Sequence, residues 1–80
     1  MNKIVSIQGP VEKIDGKFIL LIPLAAGGSD LVTCSRGIGT VEGENLKVTI
    51  PDWMADKMGF SEGTLVNVDN QDGKFNIVLV

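Results

Sequence analysis

One stretch constrains the fold more than any other: LKVTIPDWMADKMGFSEG, residues 46–63. Leu46, Val48 and Ile50 alternate with Lys47 and Thr49, the period of a strand with one buried face. Pro51 cannot donate to a ladder but suits the first turn of a helix. Asp52 follows, where unpaired N–H groups and the helix dipole favour a carboxylate. Met54 and Met58 stand one turn apart and, with Trp53, are placed to face a core. Gly59 can take the left-handed conformation that ends a helix, and Phe60 can fold back on the last turn. A helix this short is not stable alone. The segment therefore reads as a plug closing one end of a β structure.

The rest of the chain agrees, with ten glycines in 80 residues and apolar runs of about four to six residues between turn signals. Strands are expected over residues 4–7, ended by Gly9-Pro10, and over 11–14 and 17–22, which flank Asp15-Gly16, the strongest hairpin signal. Further strands are expected at 31–34, 40–41, 46–50, 64–68 and 75–80, with Asn70-Gln71-Asp72-Gly73 as the last hairpin loop. KFILLIP is apolar on successive residues, as in a strand buried on both faces. Residues 25–30, AAGGSD, read as a loop holding a helical turn. The expectation is an all-β single domain over 1–80, a small barrel with one short helix near 52–58.

Asp-Gly-Lys-Phe occurs at 15–18 and again at 72–75, each time before an apolar strand. Ile-Pro likewise ends two runs, at 22–23 and 50–51, and Leu-Val recurs at 31–32 and 65–66. The spacings share no offset, which excludes an exact tandem repeat. A diverged duplication, with 1–45 as the second half of a barrel around 46–80, accounts for the recurrence; so does hairpin chemistry alone.

Composition removes several function classes. One cysteine allows no intrachain disulfide, and the absence of histidine excludes the usual cysteine–histidine zinc sites and histidine-based triads. Gly37-Ile38-Gly39 lacks the third glycine and following helix of a dinucleotide fingerprint. Glu42, Glu44, Asp69 and Asp72 lie in or beside turns without metal-loop spacing. Cys34-Ser35-Arg36 sets a thiol beside a cation, but no base accompanies it, and a lone cysteine at a strand end reads as a small buried hydrophobe. Gly28-Ser29 reads as a flexible turn. No enzyme, cofactor or metal is expected. The N-terminal MNKIVSIQGP has one lysine and too short an apolar run for a leader. Residues 18–24 contain Pro23 and are too few to span a bilayer. A cytoplasmic protein is expected.

Four motifs follow one another in the second half: Val48-Thr49-Ile50-Pro51, Met58-Gly59-Phe60, Glu62-Gly63-Thr64-Leu65-Val66 and Asp72-Gly73-Lys74-Phe75. In order and spacing this half resembles the AbrB/MazE-like (SpoVT/AbrB) superfamily. The resemblance implies a small swapped-hairpin or double-psi-like barrel. In that family two chains often interleave as a homodimer that binds DNA, as a transcription regulator or as the antitoxin of a toxin–antitoxin pair. The partners it implies are DNA and a toxin protein. The family's basic positions before the Ile-Pro strand and within the helix are matched by Lys47 and Lys57. With Arg36 these form the candidate phosphate-contacting set, and Lys17 and Lys74 stand on its rim.

Charge supports a second reading. Ten acids against seven bases leave a net charge of −3, where a phosphate-binding surface usually shows a basic excess. Asp52 and Asp56 occupy helix positions that are often basic in the family. The alternative is a structural or protein-interaction barrel module that does not bind DNA. A regulator gathers its bases on one face and turns Asp52 and Asp56 away; an interaction module exposes an apolar or acidic patch. Trp53 is either the anchor of such a patch or a member of the plug with Met54 and Met58.

Overall fold

A computed structural model describes residues 4–80. The chain runs β1 (Ser6–Pro10), β2 (Glu12–Ile14), β3 (Lys17–Pro23), β4 (Gly39–Glu42), β5 (Asn45–Ile50), α1 (Asp52–Met58), β6 (Leu65–Asp69) and β7 (Asn76–Leu79). Residues 1–3, part of the stretch read against a leader, lie outside the described residues.

The strands form two antiparallel sheets, ordered β1-β6-β7 and β2-β3-β5-β4. This is the mainly β architecture with one short helix that the sequence leads one to expect. The hairpins β4–β5 and β6–β7 fall in different sheets, and each is completed from the first half of the chain: β3 pairs with β5, and β1 with β6. Only Val11 separates β1 from β2. Its N–H donates to the Thr64 carbonyl at 2.9 Å, its carbonyl accepts from the Gly63 N–H at 2.8 Å, and its side chain is wholly buried. The chain thus passes from one sheet to the other at this residue. Gly9-Pro10 does not end the first strand as expected; β1 continues through Pro10, which an outer strand with one neighbour tolerates.

Burial follows the pleat. Leu46, Val48 and Ile50 of β5 are sealed, with Lys47 and Thr49 half-exposed between them. Val66 and Val68 of β6 meet them from the other sheet. β3 departs from expectation: Ile19 and Leu20 are both buried, but Leu21 is 46% exposed. The strand is covered on both faces over only part of its length.

Residues 31–34 do not form the expected strand. The segment after β3 makes two 3₁₀ turns, Leu24–Ala26 and Gly28–Asp30, and residues 31–38 continue as turns. The Ser35 N–H donates to the Leu31 carbonyl at 3.0 Å and the Gly39 N–H to the Ser35 carbonyl at 2.7 Å. Cys34 Sγ donates to the Leu31 carbonyl at 3.3 Å, and Ser35 Oγ to the Val32 carbonyl at 3.1 Å. Such back-bonding offers the chain an alternative to a ladder. Leu31 is wholly buried in the core, and Val32 and Cys34 pack partly against it. Buried Asn70 ties this segment to the chain's beginning: its Oδ1 accepts from the Val5 N–H at 2.8 Å, and its Nδ2 donates to the Asp30 carbonyl at 3.4 Å.

Candidate functional site

α1 ends as its sequence requires. Gly59 is left-handed (φ 71°), the Phe60 N–H donates to the Ala55 carbonyl at 3.0 Å, and Phe60 packs inward, edge-on to Phe18 with ring centroids 6.2 Å apart. Lys13 covers the Phe18 ring at 5.4 Å. At the other end Pro51 stands just before the helix, extended (φ −58°, ψ 145°), rather than inside its first turn.

Helix geometry then decides where Trp53 goes. Ala55 is the one helix residue fully buried, with Met54 and Met58 partly buried against the core. At about 100° per residue, Trp53 lies roughly 200° around the helix from Ala55. It is 66% exposed. The reading of Trp53 as part of the plug is corrected: Met54 and Met58 serve in it, and the tryptophan stands outside.

What Trp53 overhangs is a groove of about 330 Å³ between α1 and β7. Trp53, Met54, Lys57 and Met58 form the helix wall, and Phe75, Asn76, Ile77 and Val78 form the strand wall. Both parities of β7 contribute, so the groove runs along the strand's edge. Val78 is half exposed and Leu79 nearly so. Asp52 and Asp56 are absent from the lining, and among the described residues Lys57 is its only charged one.

A larger hollow, about 550 Å³, lies where the β4–β5 turn meets the first 3₁₀ turn, lined by Pro23, Leu24, Ala25, Gly43, Glu44 and Asn45. It offers one carboxylate and no partner for it. Among the described residues no three acidic or cysteine side chains converge as metal ligands, and no helix is long and apolar enough to cross a membrane.

The candidate phosphate contacts fall on three elements. Arg36 is exposed in the turns before β4, Lys57 is exposed on α1, and Lys47 lies on β5 with its ammonium 3.4 Å from the Glu42 carboxylate across the β4–β5 hairpin. Lys17 and Lys74 are exposed at the starts of their hairpin arms. Cys34 is half-buried; burial pushes its thiol up, a backbone hydrogen bond partly opposes this, and the Asp69 charge adds to the rise. That is the opposite of an activated nucleophile.

No family model, curated protein or solved structure matches this chain.

The strand wall of the groove was not singled out from the sequence. The signal was there: residues 76–80, Asn-Ile-Val-Leu-Val, carry neither charge nor proline, the devices that usually guard an outer strand.

Proposed function

We propose that this chain is a protein-interaction module on an AbrB/MazE-like barrel scaffold, with the α1–β7 groove as its docking surface. One observation carries the reading: a tryptophan 66% exposed beside an apolar groove. Tryptophan is the residue most enriched among binding hot spots, and an apolar patch rimmed by polar groups marks interaction sites on soluble domains. The charge balance supports it, with a net −3 overall and Lys47 already engaged by Glu42.

The DNA-binding regulator or antitoxin reading rests on the motif resemblance and on Arg36 and Lys57, exposed and in no ion pair among the described residues. One experiment separates the two. Random peptides displayed on phage are selected on the immobilised protein, and the same preparation is titrated with random-sequence duplex DNA at low salt. The interaction reading expects selected peptides whose binding weakens roughly tenfold or more in Trp53→Ala, with no DNA binding. An empty selection, together with DNA binding that falls steeply with salt and falls further in Lys57→Ala, would establish the regulator instead.

A further inference from the structure

We infer that the groove takes an extended peptide segment, which adds to β7 as a further strand and sets a carboxylate against Lys57. This rests on the interaction-module reading and names the partner's chemistry.

The backbone makes the first half of the case. β7 is the outer strand of its sheet. Its register pairs Asn67 with Val78 and Asp69 with Asn76, and the Val80 N–H donates to the Leu65 carbonyl at 3.1 Å. Residues of an antiparallel pair alternate between bonding each other and facing away. Residues 76, 78 and 80 therefore bond to β6, while Ile77 and Leu79 direct their N–H and C=O groups to the open side. The other outer strands are guarded. β2 has three residues, two of them Glu12 and Lys13, and β4 ends on Glu42. β1 carries Gly9 and Pro10. β7 has no such device, and a helix stands alongside it as a second wall. An edge strand facing a helix is the arrangement in which strand addition gives affinity through the main chain and specificity through side-chain pockets.

The lining makes the second half. Trp53, Met54 and Met58 call for apolar side chains on one face of the segment, and Lys57, the only charge in the groove among the described residues, calls for a carboxylate. A second copy of the chain fits less well, because Asn76–Leu79 would bring no acid to Lys57.

The probe is a hexapeptide, Val-Thr-Val-Thr-Asp-Thr, capped at its N-terminus with fluorescein and followed by the anisotropy of that label and by amide hydrogen exchange. Two variants accompany it, one with lysine for the aspartate and one N-methylated on the valines. The aspartate peptide is expected to bind roughly two- to fivefold tighter than the lysine peptide, with the order reversed in Lys57→Glu. N-methylation should weaken binding roughly tenfold by removing ladder donors. The Ile77 and Leu79 amides should exchange more slowly in the complex.

Peptide binding that Trp53→Ala weakens, but that ignores N-methylation and leaves those two amides unprotected, overturns strand addition while the interaction reading stands. A protein that sediments as a dimer by itself, with Ile77 and Leu79 already protected, assigns the edge to a second copy and overturns the proposal. Library peptides indifferent to Trp53→Ala remove the interaction reading as well.

Discussion

At the scale of single residues, the closest approach to a glycine lies where the turns before β4 meet its first residue. A Cβ added to Gly39 would collide with Ser35 Oγ and come within 2.7 Å of Ser35 Cβ and 3.1 Å of its carbonyl oxygen. Ser35 is sealed and cannot move aside freely. Gly39→Ala is therefore expected to destabilise by about 1–3 kcal/mol, the range for overpacking, measured by urea denaturation. Ser35→Gly in the same chain should recover part of the loss, because it removes both colliding side-chain atoms; a double variant no more stable than Gly39→Ala would place the strain elsewhere. Nothing in the sequence announces this pair. Gly39 reads there as one of several turn glycines, and the demand on it comes from a neighbour four residues away whose side chain the fold turns inward.

At the scale of elements, α1 was legible and its surroundings were not. A strand ending in proline, an acid, two methionines one turn apart and a glycine specify the helix locally, and it forms over Asp52–Met58. The two Asp-Gly turns were equally local: Asp15 and Asp72 are both left-handed (φ 52° and 57°), each followed by a left-handed glycine. The exposure of Trp53 was not legible, because it depends on which side of the helix the sheets occupy. The turns at 31–34 were hidden for a related reason. Leu-Val-Thr-Cys has strand-like composition, and the bonds that hold it as a turn come from the Ser35 N–H and from the Cys34 and Ser35 side chains to the Leu31 and Val32 carbonyls. Two substitutions in α1 should behave in opposite ways. Gly59→Ala forces a Cβ into the left-handed region and should cost about 1–2 kcal/mol. Trp53→Ala removes a much larger side chain and should stay within about 0.5 kcal/mol of the parent. Thermal melts of both variants check this; a large loss in Trp53→Ala would mean that the ring is packed, not exposed.

At the scale of the whole molecule, both sheets lean on β5. Leu46 is wholly buried, paired with Ile22 on one side and Val41 on the other. Leu46→Ala should destabilise by about 2–5 kcal/mol, a large share of the roughly 4–12 kcal/mol that a chain this size commands. Chemical denaturation with an unchanged m-value measures it, and a loss under about 1 kcal/mol would contradict the core described above. How the two halves interlock could not be read from the sequence, since the pairing of β1 with β6 leaves no local pattern. That pairing has a consequence in time. The three hairpins β2–β3, β4–β5 and β6–β7 can each close soon after they are synthesised, but Ser6 is matched to Asp69 and Val5 to Asn70, 65 positions apart. β1 can pair only after residues 65–69 have been synthesised and have left the ribosome. Contacts this distant in sequence slow folding, so the three local hairpins wait on the pairing of β1 with β6.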